Sequence, residues 1–433
     1  MMAWAWKRMS KMSEEKVQAN RNRILVLQKK GVEILNPESV SVSESVDLEK
    51  IEVGVSIGAG CSIDGAATMI GTGTEIKGAA SIKNCLIGRN CSLHSGEYLD
   101  SVLLDGCSTV GWARVRGHCA WEEGTNSAHN VDTKTTVLGY KTTLGSLINF
   151  CNVLMLGGTS PRLEVGAEVG SGTINFNFLP YGAAVGALIK PSTVVGSMES
   201  PFLSCQGAPI RYDFVGGHCS IIAPVVIGLN SMIAAKTRVN PGIYGDDVLV
   251  AGGNLERTSV IDVQRIRALK DMTSKYQILV KQLSIAVAFR KWCQLRILWA
   301  EECTLDDFEI RLIRGYAEKV DRFIGALEDY GDNIAKYLLA SDDHSRPESL
   351  STNQRISNRW VEVLKPQIRE TLEDESGFAE GTSDLGSALI RMADGKQQFY
   401  ETLAKLDYTS AEVSRAREYF QSVAARIVGR AGF

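Results

Sequence analysis

Residues 56–76 read Ser56-Ile57-Gly58-Ala59-Gly60-Cys61-Ser62-Ile63-Asp64-Gly65-Ala66-Ala67-Thr68-Met69-Ile70-Gly71-Thr72-Gly73-Thr74-Glu75-Ile76. Ile57, Ile63, Ile70 and Ile76 continue into Ile82, Ile87 and Leu93 at a spacing of six, with single-residue slips. Gly58, Gly71 and Gly88 directly follow three of these apolar residues. Six matches neither the 3.6 period of a helix nor the period of two of a half-buried strand. A six-residue repeat headed by an apolar residue predicts a hexapeptide β-helix, in which three hexapeptides make one triangular coil and stacked coils bury a continuous core. Small residues turn the corners, where a bulky Cβ would clash. The pattern resumes at Leu138-Gly139, Leu144-Gly145 and Phe150, and again at Ile227-Gly228, Ile233 and Val239. A sandwich of short strands is the ordinary alternative, but sandwich strands seldom keep a fixed phase of six.

The composition divides the chain. Of 41 glycines in 433 residues, 31 fall within 51–253, as do eight of the ten cysteines. Beyond about 255 the sequence turns rich in Arg, Lys, Glu, Leu and Ala. The expected class is mainly β with α: an N-terminal helix (1–33), a left-handed parallel β-helix (34–256) and an α-helical domain (257–433). Val17, Ile24, Leu25 and Leu27 predict one amphipathic helix over 11–30, stopped by Gly31. Val260, Val263, Ile266, Leu269 and Met272 open an apolar stripe that runs on through Leu283. Further helices are expected over 304–340, 353–374, 383–406 and 409–428. Gly331, the Ser341-Asp342-Asp343 stretch with Pro347, and Gly377 to Gly381 are read as their punctuation.

Forty-seven basic against 50 acidic residues leave a formal charge of −3, which argues against a general nucleic-acid or membrane-surface binder. No apolar run approaches the roughly 18 residues of a membrane helix. The start, Met1 to Arg8, lacks an apolar signal core, so a cytoplasmic protein is expected. The cysteines form no C-x-x-C pair and read as buried free thiols. No metal is expected: His118 and His129 are 11 residues apart and His218 is isolated.

Three runs carry a resemblance. Gly31-Val32-Glu33-Ile34-Leu35-Asn36-Pro37 follows a helix as a linker into a β-helix would. Gly172-Thr173-Ile174-Asn175-Phe176-Asn177-Phe178 looks like an active-site loop. Phe214-Val215-Gly216-Gly217-His218 through Ala223-Pro224-Val225 to Ile233-Ala234-Ala235 is the longest match. On these residues the chain, over roughly 15–255, resembles the acetyltransferase half of the bifunctional N-acetylglucosamine-1-phosphate uridyltransferase/glucosamine-1-phosphate acetyltransferase. It looks closer still to the group labelled UDP-N-acetylglucosamine pyrophosphorylase-related proteins. The uridyltransferase domain is expected to be absent, since only about 30 residues precede Gly31. Leu156-Gly157-Gly158-Thr159-Ser160-Pro161-Arg162 is read as a loop extruded from a coil, with no helix after it to cradle phosphate.

The resemblance implies the site. His129 matches the catalytic base by an ungapped count from Val110-Gly111, and a neutral imidazole suits removal of an ammonium proton. His129 then lies 43 residues before Gly172, about one coil more than the family's interval. Asn177 and Phe178 match an Asn-Tyr pair that holds the sugar phosphate and the oxyanion, with Phe178 lacking the hydroxyl. The family's phosphate-binding lysines are replaced by Gly117 and by Ala183-Ala184, so Arg116 or Lys190 would have to substitute. Ser171, Gly217 and Ala235 would present backbone groups to coenzyme A. The implied activity is acetyl-CoA-dependent N-acylation of an amino-sugar phosphate or nucleotide sugar by a homotrimer. A non-catalytic sugar-nucleotide-binding or scaffold protein is the alternative.

Overall fold

The computed structural model describes residues 2–157, 166–177, 190–252, 272–303, 305–340, 354–393 and 398–431, with side chains from residue 15 onward. Phe178, Gly158 to Arg162 and the stripe from Val260 to Leu269 lie outside the described residues.

The chain forms a left-handed parallel β-helix of about 11 turns with all its strands in one parallel sheet system. Inward residues of the first face stack as Ile34, Ile57, Ile76, Leu93, Thr109, Ser127, Leu144, Val169, Val215, Ile233 and Val250. The second face stacks Val42, Ile63, Ile82, Tyr98, Val115, Thr133, Phe150, Asn175, Ile221 and Val239 in the same way. The predicted six-residue period is this alternation of faces. Where the columns turn polar, some groups pair inside: the Tyr98 hydroxyl lies 2.7 Å from Thr109 Oγ1 and Asn175 Nδ2 donates to Thr193 Oγ1 at 2.7 Å, while Ser127 Oγ and Asn175 Oδ1 are buried without a partner.

The third face differs. Its inward residues are Ile70, Ile87, Leu103, Trp121, Leu138, Met155, Val195 and Ile227, and the residue before each is also apolar: Met69, Leu86, Val102, Ala120, Val137, Leu154, Val194 and Val226. Adjacent strand residues point to opposite sides, so this face is apolar inside and out, as in sheets covered on both faces. Two helices cover it. α2 (Met272–Glu302) lies on the later coils and α3 (Asp307–Ala340) on the earlier ones. Val102, Ala120, Val137, Leu154, Val194 and Val226 thereby join the core of the helical domain. Burial of each Val or Leu stabilises by about 1.5–3 kcal/mol.

The N-terminal helix α1 (Met2–Lys30) begins nine residues before the predicted start. It lies across the first coil, burying Ile24 and Leu27. Asn20 ties it down, donating to Val40 O at 2.9 Å and accepting from Val42 N at 2.8 Å. A solenoid needs such a cap over its open end.

The helical domain is completed by a π-helical turn (Trp360–Leu364), α4 (Lys365–Glu373), α5 (Glu375–Met392), α6 (Phe399–Leu403) and α7 (Ala411–Ala431). The glycine punctuation is corrected here. Gly331 lies inside α3, where a Cβ would strike the Trp360 ring. Gly377 and Gly381 lie inside α5, with Gly381 against the Tyr419 ring. Close packing of an aromatic ring, not a chain break, requires Gly331 and Gly381. The predicted helix over 383–406 is two helices, α5 and α6, and α5 starts eight residues earlier. All ten cysteines are free thiols, eight of them buried.

Candidate functional site

The coil register sorts the sequence-predicted residues into two corners. Between the first and second faces, successive coils stack Gly111, His129, Ser146, Ser171, Gly217 and Ala235 at one position. The backbone ladder that defines the corner runs from Asn130 N to Trp112 O (2.7 Å), Leu147 N to His129 O (3.0 Å), Gly172 N to Ser146 O (2.8 Å), His218 N to Ser171 O (2.8 Å) and Lys236 N to Gly217 O (2.8 Å). His129, Ser171, Gly217 and Ala235, chosen from separate stretches of sequence, thus form one column.

The local sequence explains the corner. Asn130, Leu147, Gly172, His218 and Lys236 all take left-handed backbone, with φ of 58°, 60°, 77°, 58° and 61°. Just before the column, Gly145 and Gly216 keep the coils close: a Cβ would lie 2.7 Å from Ser171 N and 2.5 Å from Ala235 N respectively. Neither Gly145 nor Gly216 could therefore become alanine without a shift, because the next coil's backbone already fills the space.

Ser146 was missed by sequence reading. Its Oγ lies 3.1 Å from His129 Nδ1, and its own backbone N–H donates to Ser171 Oγ at 3.1 Å. When His129 Nδ1–H donates to Ser146, the Nε2 lone pair is free to accept a proton. When Ser146 donates instead, Nε2 carries the hydrogen and is no base. Adding one coil of 17 residues to His129 reaches Ser146, and that arithmetic was available from the repeat. The extra interval ahead of Gly172 is a whole coil: His129 stands two steps below Ser171, roughly 10 Å at the usual strand spacing.

Asn177 belongs to the other end of the second face. The stack there runs Gly117, Thr135, Asn152, Asn177 and Ala223, following the pairings of Lys134 with Cys151 and of Phe176 with Ile222. Six residues of chain separate Asn177 from the column position of Ser171, on the order of 15–20 Å at about 3.3 Å per residue. One chain therefore does not bring His129 and Asn177 together. Asn177 Nδ2 is buried without a hydrogen-bond partner. Arg116 sits beside the same corner and is committed: its Nε and Nη2 donate to Asp132 at 3.2 and 3.0 Å. That hydrogen-bonded pair raises its pKa further. Lys190 is exposed just before the third-face strand Thr193–Val195.

Around the first corner, Val110, Trp112, Leu147 and Ile174 are exposed apolar side chains, with Trp112 54% accessible, while Phe176 is exposed beside Asn177. Lys236 and Arg238 are exposed at the upper end of the column. Among the described residues, no group of three His, Cys, Asp or Glu is placed to hold a metal ion. No described helix is long and apolar enough to cross a membrane.

No protein-family profile matches the chain. Individual relatives do. The bifunctional protein GlmU of Lawsonia intracellularis is 29% identical over 230 residues, 53% of this chain and 43% of that protein. GlmU of Pseudoalteromonas atlantica is 25% identical over 241 residues (52% and 43%), and GlmU of a Nostoc species 24% over 236 residues (51% and 42%). The chain spans less than half the length of these relatives. Over about half of its own length the chain is similar to the bifunctional GlmU proteins, and its β-solenoid is consistent with their acetyltransferase half.

Proposed function

We propose that the protein is a cytoplasmic acetyl-CoA-dependent N-acyltransferase acting on an amino-sugar phosphate or nucleotide sugar. The observation that carries this reading is the column of His129, Ser146, Ser171, Gly217 and Ala235. The glycine-flattened backbone at Ser171, Gly217 and Ala235 offers peptide groups to the pantetheine arm. The apolar strip with Trp112 and Leu147 offers surface to its hydrocarbon, and Lys236 and Arg238 offer charge to its phosphates. His129 Nε2 takes the ammonium proton, the freed amine attacks the thioester carbonyl and forms the C–N bond, the C–S bond breaks, and the second proton shed by nitrogen passes to the departing sulfur, so that the coenzyme leaves as its thiol.

The second corner, with Asn177 and Lys190, would complete the acceptor site from a neighbouring copy. Beyond the first coil, which α1 caps, the described helices cover the third face and leave the first two open, which suits a homotrimer packed through these faces. Turnover of acetyl-CoA with glucosamine 1-phosphate tests the proposal. His129→Ala should lower turnover by about 10²–10⁴-fold with acetyl-CoA affinity nearly unchanged. No turnover by the wild type with any amino-sugar phosphate sinks the catalytic reading.

A non-catalytic sugar-nucleotide-binding or scaffold role is the second reading. It is favoured by the Arg116–Asp132 ion pair, which leaves that guanidinium neutralised, and by the two-coil offset between His129 and Ser171. Binding of the nucleotide sugar without turnover would establish it.

A further inference from the structure

The solenoid and the helical domain enclose a cleft of about 640 Å³ far from the proposed acyltransfer corner. Its walls carry Asp105 and Glu123 from the solenoid and Asp306, Glu309 and Glu401 from the helical domain. Among the described residues one cation lines it, Arg89, and that side chain is spent. It donates to Glu52 at 2.9 and 2.7 Å, to Asp306 at 2.6 Å and to Glu309 at 2.8 Å. Behind the wall, Arg296 is equally committed to Glu122 and Glu123. Seven carboxylates therefore share two guanidiniums.

Glu123 shows the shortfall at one atom. The residue is 7% exposed and its Oε1 is held by Arg296. Its Oε2 is buried with no hydrogen-bond partner. A buried carboxylate oxygen left unpaired costs several kcal/mol unless a donor reaches it. Asp105 reports the same excess: burial, followed by Glu123 and Glu309, pushes its carboxyl up to about 6.

We propose that this cleft binds an organic cation of the aliphatic diamine or polyamine class. The walls between the carboxylates are apolar and aromatic, from Leu104, Trp299, Leu312, Ile313 and Phe399. That alternation suits ammonium groups separated by methylenes, with the aromatic faces adding cation–π attraction. A bare divalent ion fits less well, because no three carboxylates converge on one point among the described residues.

Thermal-shift measurements and calorimetry on the full chain with cadaverine and spermidine, at constant ionic strength, test this. Saturable binding that raises the melting temperature is expected, with no comparable response to magnesium chloride or to 1,5-pentanediol. Asp105→Asn keeps the acceptor that receives Arg89 N at 2.8 Å and should weaken amine binding at least tenfold. Glu123→Gln should do the same if it folds, and Asp105→Asn decides the question if it does not. No saturable amine binding, an equal response to magnesium, or undiminished binding by Asp105→Asn would overturn the proposal.

Discussion

Arg296 Nη1 lies 2.6 Å from Glu122 Oε1, joining the C-terminal part of α2 to the solenoid corner just after Trp121, across 174 residues of sequence. Both side chains are 1% exposed. Tyr400 closes the group, its hydroxyl donating to Glu122 Oε1 and Oε2 at 3.1 Å while its ring stacks on Tyr140 at 4.1 Å. Burial pushes the Glu122 carboxyl up, against the pull of Arg296. Arg296→Leu strands two buried carboxylates, and a loss of about 3–5 kcal/mol is expected in urea unfolding. Adding Glu122→Gln and Glu123→Gln should recover part of it. A loss under 1 kcal/mol for the single variant would show that the pair is not what joins the domains.

Asp213 gives a pH-dependent prediction. Burial pushes its carboxyl up to about 7 in the folded chain, while Ser231 and Asn230 backbone groups pull it down. Its Oδ1 accepts from Ser231 N at 3.2 Å and its Oδ2 has no partner. The folded state holds the proton more tightly than the unfolded one. Stability therefore falls as pH rises from about 4 towards 7, and the full penalty stands above 7. Asp213→Asn removes the penalty and keeps the Ser231 bond. It should stabilise by about 2–4 kcal/mol at pH 8 and by little at pH 4.5. Equal effects at the two pH values would contradict the assignment.

Gly331 and Gly381 are expected to resist alanine. In an open helix the change would help by about 0.8–1 kcal/mol. Here each Cβ would enter the ring of Trp360 or Tyr419, and overpacking costs about 1–3 kcal/mol. Net destabilisation in thermal melts is the predicted sign for both, with Gly325→Ala, which meets nothing within 4 Å, as the stabilising control.

Removal of the helical domain should make the solenoid insoluble. A chain ending at residue 256 would expose Val102, Ala120, Val137, Leu154, Val194 and Val226 as one apolar stripe. Size-exclusion with light scattering should find aggregates. A well-behaved soluble species would mean that the third face has another partner.

The sequence by itself determined the solenoid; His129, Ser171, Gly217 and Ala235 came from separate stretches by resemblance, and only the coil register puts them in one column. A repeat is a local code: each hexapeptide carries the same instruction, and adding 17 or 18 residues moves one coil along the axis. The doubled apolar residues, such as Val137-Leu138 and Val194-Val195, also announced a face covered on both sides, although the period-of-six reading passes over them. Only the tertiary structure decided what lies against that face, because docking of α2 and α3 depends on surface complementarity between segments far apart in sequence, 57 residues at Gln282–Val225 and 178 at Tyr316–Leu138. It also decided that Gly331 and Gly381 serve ring packing within helices, that Arg116 is already neutralised by Asp132, and that His129 and Asn177 occupy opposite ends of one face. Contacts of that kind depend on which coil and which corner a residue reaches once insertions have been absorbed. The count of residues along the chain does not carry that information.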